Sequence, residues 1–423
     1  MLENILTFKN LEKSLKAVER NKGASGIDNQ QFDSLRPFIY THYQALRKSI
    51  LESSYKPSPV RKVEIPKPGG GMRMLGIPTV LDRFIQQCIY QFLSPLYEID
   101  FSPRSYGFRP GKNAHQAVKK AQEYLQRGYT WIIELDLEKF FDKMNHQKLL
   151  CLVSEKIRDI RLLKLIGCYL RSGIMEGGVT SPRSEGTPQG SPLSPLLSNI
   201  MLHELDKELQ RRGLKYVRYA DDCSIYVRSE KSAKRVAESI SKYIEDKLLL
   251  KVNRSKTRIS RPKESQLLGF SFYKMKGEFL IRLGAQTLKS IKEKCKKITS
   301  SRDATAESIK LKKLDDIIRG WVNYFKIAQA MIKLEELDEQ IRTRLRIAKW
   351  RNWKRIRTKI SNLIKLGVSK SKAYQWGNTS KGPCRIAHSP ILKRTLTKSF
   401  WKKQGYQGFS YYYRQTQGQP SMF

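Results

Sequence analysis

The chain has 423 residues, enough for two or three domains, and its 81 Lys plus Arg against 39 Asp plus Glu leave a formal net charge of +42. A field of that sign excludes a charge-balanced surface and selects polyanionic partners, nucleic acid ahead of an anionic membrane. No apolar run reaches transmembrane length, no signal peptide opens the chain, and six scattered cysteines form no Cys-x-x-Cys pair, so a cytosolic protein without zinc or a disulfide framework is expected.

The first fifty residues read as helical, broken by the turn-rich "NKGASGID". "VRKVEIPKPGGGMRMLGIP" alternates, turns at Gly69–Gly71 and alternates again, which predicts a β-hairpin. Residues 80 to 97 predict a buried helix, and "WIIELDLEKFF" a strand passing into a helix. "SPLSPLLSNIMLHELDKELQRRG" predicts a helix with Ser194 as its cap, Pro195 in its first turn, Leu197, Met201 and Leu205 on one face, and Gly213 after its end. "KYVRYADDCSIYVRS" then reads as two strands with Asp221 and Asp222 at the turn. After about residue 285, Lys-rich helical patterns replace strands.

Two carboxylates at the tip of an apolar hairpin are costly unless a cation neutralises them. All-oxygen ligation suits Mg²⁺, and two such ions explain paired acids where a phosphoryl group is transferred. A third acid is then needed from another segment. Asp136, at the end of the apolar strand in "IIELDLEKFFD", is the best candidate, with Asp142 as the alternative. Consecutive strand side chains face opposite ways, so both hairpin aspartates serve one site only if the turn redirects one of them. Five histidines (42, 115, 146, 203 and 388) show no metal-ligand spacing.

"YADD" resembles the palm signature of reverse transcriptases. An ordered set of blocks is similar to group II intron-encoded reverse transcriptases, the maturases: "NKGASGID", "VEIPKPGGGMRMLGIPTVLDRFIQQ", "FSPRSYGFRPGKNAHQA", "DLEKFFDKMNH", "GTPQGSPLSPLLSNIMLHELDKEL", "YADD", "KVNRSKTRIS", "LLGFSFY" and "IIRGWVNYFK". They cover most of residues 20 to 330. The resemblance implies an α+β right-hand polymerase fold of fingers and palm, built of antiparallel sheet plus helices, followed by an α-helical thumb. It divides the chain into an N-terminal helical extension (1–50), fingers and palm (51–285), thumb or maturase domain (286–360) and a basic C-terminal region (361–423). It implies that Asp136, Asp221 and Asp222 hold two Mg²⁺, with the Leu137 carbonyl assisting, while DNA is made on an RNA template from a DNA or RNA primer and dNTPs. Intron RNA and target DNA are the implied partners, in a ribonucleoprotein of the bacterial cytosol.

Lys67 and Arg73 flank a glycine turn that can close over a triphosphate. By resemblance the Phe141 ring lies beneath the incoming sugar, where it would exclude a ribose 2′-hydroxyl; one of Phe140 and Phe141 is expected in the core. Gln189 in "GTPQGSP" and Lys256 in "NRSKT" are further nucleotide candidates. From Ile341 onward there are 20 Lys/Arg, no acid and 12 aromatics. Arg342, Arg344, Arg346, Lys349, Arg351 and Lys354 are the expected nucleic-acid contacts there, with tryptophans stacking on bases or filling the core. Cys pairs of the kind found in the family's C-terminal nuclease are absent, so a class C-like chain without second-strand cleavage is expected. Competing readings are a splicing cofactor with a vestigial polymerase core, a relative domesticated for DNA repair, and an RNA-dependent RNA polymerase.

Overall fold

The computed structural model describes residues 1–66, 71–300, 303 and 305–418. The chain divides into two compact units, Met1–Ser265 and Gln266–Phe423. The strands are β1 (Val60–Pro66), β2 (Met72–Ile77), β3 (Trp131–Leu135), β4 (Ile174–Glu176), β5 (Val179–Ser181), β6 (Lys215–Tyr219), β7 (Asp222–Val227), β8 (Arg258–Ser260), β9 (Phe270–Met275) and β10 (Glu278–Leu283).

In the first unit, β1 and β2 form the expected antiparallel hairpin, with Ile65 opposite Arg73. β4 extends that sheet parallel to β1, and β5 pairs with β4, giving the order β2-β1-β4-β5. The second sheet has the order β6-β7-β3-β8 and is antiparallel throughout. Its strands are rich in β-branched and aromatic residues, and Ile132, Ile133, Tyr216, Val217 and Ile225 are fully buried. One core joins this sheet to the helices around it through Phe84, Leu149, Met201, Leu205 and Ile240. Removing that much apolar surface from water is the main favourable term for the unit. The α+β architecture expected from the sequence is what the chain adopts.

The buried helix Val80–Glu98 starts where the sequence places it, and for a local reason. Thr79 accepts from the Asp82 N–H at 3.1 Å, while the Asp82 carboxylate takes the hydroxyls of Thr79 and Tyr55 at 2.7 Å and the Ser58 N–H at 3.1 Å. The helix Ser194–Arg211 corrects one expectation: Ser194 is its first residue rather than its cap. Its hydroxyl turns back to the preceding loop instead, bonding the Pro188 carbonyl at 2.9 Å and the Thr187 hydroxyl at 2.6 Å. Leu197, Met201 and Leu205 are buried together as expected.

The second unit opens with the β9–β10 hairpin, whose Phe270 packs on Tyr324 and Phe325 of the helix Glu307–Phe325. The two compact units divide just before this hairpin, between Ser265 and Gln266. Helices Ala285–Ile298, Met331–Asn352, Ile356–Lys365, Lys370–Gly377 and Phe409–Gly418 carry most of the remainder. The buried Asp338 fastens the last of these, accepting from the Tyr406 hydroxyl, the Phe409 N–H and the Ser410 N–H and hydroxyl at 2.6 to 3.0 Å. Trp350, Trp353 and Trp401 are all buried, so these tryptophans fill the core. Among the described residues no helix is long and apolar enough to cross a membrane.

Candidate active site

The β6–β7 hairpin answers the question of how two neighbouring aspartates share a site. Tyr219 pairs with Asp222, which leaves Ala220 and Asp221 as a two-residue loop. Ala220 has φ +56°, the left-handed region, as the tight hairpin turn requires at its first central position. Asp221 therefore leaves the strand alternation at the turn, and Asp222 is the first residue of β7.

Asp136 reaches the same place from β3. Leu135 lies opposite Cys223, so Asp136 follows one step beyond the last pair, beside the start of β7. Its backbone is clamped by the loop Asn253–Thr257. Its N–H donates to the Thr257 hydroxyl at 3.2 Å and its carbonyl accepts the Asn253 N–H at 2.8 Å. The same loop carries Lys256, whose Nζ stands 3.9 Å from the Asp136 carboxylate. Lys139, with φ +47°, then turns the chain sharply into the short helix Phe140–Lys143.

These elements border a cleft of about 1550 Å³. Asp136, Leu137, Arg73, Phe141, Gln189, Lys256 and Asp221 all line it, as does the alternative acid Asp142. Asp222 stands next to Asp221 but does not line the cleft. Phe140 is 3% exposed and belongs to the core, while Phe141 packs edge-on against it, 5.2 Å between ring centres, and faces the cleft. The Gln189 loop is set against β2 by the Gly76 N–H, which donates to the Gln189 carbonyl at 2.9 Å. Gly186 sits so close to the Phe141–Asp142 backbone that a Cβ would lie 2.5 Å from the Asp142 carbonyl oxygen. Lys67 lies outside the described residues.

The electrostatics set the two hairpin acids apart from ordinary surface carboxylates. Loss of hydration pushes the Asp221 carboxyl up, and the negative charge of Asp136 adds to it, with Arg73 and Arg218 opposing. Asp222 is pushed up to about 6, by loss of hydration first, then by Asp221, Asp136 and Glu134. Paired carboxylates behave this way when no cation neutralises them. The donor set is carboxylate oxygen throughout, with no thiol or imidazole among the cleft-lining residues, which fits a hard divalent cation. Among the described residues, no three His, Cys, Asp or Glu side chains are gathered closely enough to hold a metal ion as they stand.

Sequence reasoning passed over the residues behind the hairpin. Arg218 and Asp206 are 0% exposed and form a bidentate ion pair, and Asn199 joins them. A charged residue inside an apolar strand, two positions before the turn, was the available signal. The basic segment also needs correction. Arg342 and Arg346 are buried and both pair with Glu339, at 2.9 and 3.0 Å. Arg344 donates to the Thr299 hydroxyl and the Lys296 carbonyl at the end of the helix Ala285–Ile298. Lys349 is held by Glu307 at 2.8 Å. These four are internal fasteners of the second unit rather than an open phosphate-seeking row; Arg351 and Lys354 are exposed.

Residues 65–272 match the reverse transcriptase (RNA-dependent DNA polymerase) family model, and residues 288–367 match the maturase-specific domain of group II introns. Protein YkfC of Escherichia coli is 33% identical over 290 residues, which are 59% of this chain and 76% of that protein. The group II intron-encoded protein LtrA of Lactococcus lactis is 38% identical over 201 residues, 47% of this chain and 33% of LtrA, so the match spans a third of that relative. A chain of a partial Cas6-RT-Cas1–Cas2 complex superposes with a TM-score of 0.38 at 24% identity, over 58% of this chain and 42% of that one. The chain belongs to the group II intron-encoded reverse transcriptases, with an RNA-directed DNA polymerase domain followed by a maturase-specific domain.

Proposed function

We propose that the cleft adds dNTPs to a primer 3′-hydroxyl on an RNA template, and that the chain binds its intron RNA to promote splicing and mobility, with target DNA as a further partner. The observation that carries the first part is the meeting of Asp136 and Asp221, with Asp222 adjacent, at the ends of three neighbouring strands beside Arg73 and Lys256. Two Mg²⁺ ions held by Asp136, Asp221, Asp222 and the Leu137 carbonyl would lower the pKa of the attacking hydroxyl and neutralise the leaving pyrophosphate. Arg73 and Lys256 bring fixed positive charge to the triphosphate oxygens. The Phe141 ring presents a flat apolar surface to the sugar, offering a 2′-hydroxyl no hydrogen bond and little room. Gln189 contributes a side-chain amide at the nucleotide or template edge, on a loop held in place by β2. Most of the rate then comes from positioning and charge stabilisation.

The splicing and mobility part is supported by the maturase-specific match over residues 288–367 and by the excess of basic residues. The polymerase reading is tested with purified chain, a primed RNA template, dNTPs and Mg²⁺. cDNA is expected from the parent and not from Asp221→Asn. An Asp221→Asn protein that extends the primer at the parent rate rules the assignment out.

A further inference from the structure

The hairpin that carries Asp221 and Asp222 is strained and gripped from behind. Ala220 has a Cβ yet sits at φ +56°, a conformation that costs an L-residue roughly 1 kcal/mol or more unless its surroundings impose it. The grip comes from Arg218, whose guanidinium makes four hydrogen bonds. Nε and one terminal nitrogen donate to the two Asp206 oxygens at 2.9 and 2.5 Å. The other terminal nitrogen donates to the Asn199 side-chain oxygen and to the Ala220 carbonyl, both at 3.0 Å. Asn199 passes its own amide N–H to the Gly107 carbonyl at 2.9 Å. Gly107 packs so closely on the turn that a Cβ there would lie 2.2 Å from the Ala220 nitrogen. The Arg218 backbone is also held, its N–H donating to the Arg104 carbonyl at 3.0 Å and its carbonyl accepting the Tyr106 N–H at 2.9 Å.

An ion pair at this depth adds little net stability, because removing two charges from water offsets most of their attraction. What distinguishes this pair is its third arm, the bond to the carbonyl of the strained residue beside Asp221. Asp206 and Asn199 both lie on the helix Ser194–Arg211. The guanidinium therefore ties the turn to a buried helix.

We propose that Arg218 is a positioning residue: its guanidinium, aimed by Asp206 and Asn199, holds the Ala220 turn so that Asp221 and Asp222 are presented as a fixed cation-binding pair. This rests on the reading of those carboxylates as the ion-holding groups. Arg218 touches neither substrate nor ion, so the test reads the turn itself.

Two variants are compared with the parent. Arg218→Lys keeps the charge on Asp206, but a single ammonium cannot reach Asp206 and the Ala220 carbonyl together. The double variant Arg218→Met with Asp206→Leu removes both charges and keeps side-chain volume, an exchange that proteins tolerate well. Hydrogen exchange of peptides spanning Tyr216–Ile225 is measured on metal-free protein, and Mn²⁺ binding is measured by calorimetry with the metal alone. Both variants are expected to exchange about tenfold faster at the turn and to bind Mn²⁺ about tenfold more weakly, the effect of losing one hydrogen bond of about 1.4 kcal/mol. The double variant keeps its thermal midpoint within a few degrees. A folded double variant with the parent's exchange and Mn²⁺ affinity overturns the proposal. If the parent makes no cDNA, the polymerase reading fails separately, and faster or unchanged exchange at the turn still decides for or against the tether.

Discussion

Replacing Asp222 by Asn should stabilise the metal-free protein while destroying its activity. In the fold this carboxyl is pushed from 3.8 up to about 6 by lost hydration and by Asp221, Asp136 and Glu134. A folded-state value above the unfolded one means that the native state binds the extra proton. The penalty is thus absent below about 3.8, grows between about 3.8 and 6, and is complete above about 6. A shift of about 2 units corresponds to about 3 kcal/mol at most. The residue loses only part of its hydration and keeps a face in solvent, so screening reduces this to about 1 kcal/mol. For a unit of this size that is a rise of about 2 °C in the thermal midpoint at pH 7.5 with chelator present, and none at pH 3.5. Mg²⁺ should raise the parent's midpoint and leave Asp222→Asn nearly unmoved, as follows from the proposed role of this carboxylate in holding the ion. cDNA synthesis should fall by about 100- to 1,000-fold. The assay is calorimetric or fluorescence-detected unfolding at both pH values, with and without Mg²⁺, beside primer extension. A variant less stable than the parent at pH 7.5 without metal, or one stabilised equally by Mg²⁺, refutes the picture of mutually repelling, ion-seeking acids.

Three further outcomes are expected. Phe141→Ala should lower the preference for dNTP over rNTP by about 10- to 200-fold in kcat/KM, and unchanged discrimination would remove Phe141 from the sugar site. Gly107→Ala should depress primer extension at least tenfold, because the added Cβ would meet the Ala220 and Tyr219 backbone at 2.2 and 2.9 Å, atoms that cannot yield as a flexible side chain can; parent-level extension contradicts the packing. Arg346→Ala should destabilise the second unit by about 1 kcal/mol, since its partner Glu339 is half exposed and keeps Arg342, and leave the salt slope of RNA binding unchanged, whereas Lys354→Ala should lower that slope by about 1 with little effect on stability, as filter binding across a salt series and thermal unfolding will report.

What the sequence made legible was local. Alternating strands, a strand-end acid and the Asp–Asp turn are each decided within about ten residues, and these put Asp136 just past the end of β3 and Asp221 and Asp222 at the β6–β7 turn, where the chain has them. The β4–β5 hairpin was equally local: Gly177–Gly178 lies between its two three-residue strands, both glycines at positive φ, and such a pair is a hairpin signal. Only the shortness of the strands hid it. Ser194 shows the opposite case, where a valid capping pattern lost to a loop that offered its hydroxyl better partners. The basic segment misled because charge was counted along the sequence rather than in space. The acid-free stretch begins at Ile341, but the acids that pair with its Arg342, Arg346 and Lys349 are Glu339, just before it, and Glu307, on another helix. Sign of charge is read from a window; burial of charge is a property of the packed neighbours.

The hairpin raises the same point more sharply. Glycine is the residue that a left-handed turn position favours, and Ala220 stands there instead. A glycine would adopt the turn without strain but would also leave it free to sample many others, and the carboxylates beside it would move with it. Alanine narrows that freedom at a cost of about 1 kcal/mol, and the Arg218 bond to its carbonyl supplies an interaction of similar size. Strain and tether are therefore two halves of one device. Either alone would be a liability, since an untethered Ala220 would relax and a tethered glycine in its place would waste the tether. Their coexistence within four residues of both acids is the physical reason to place the organisation of this site in the turn as well as in the carboxylates.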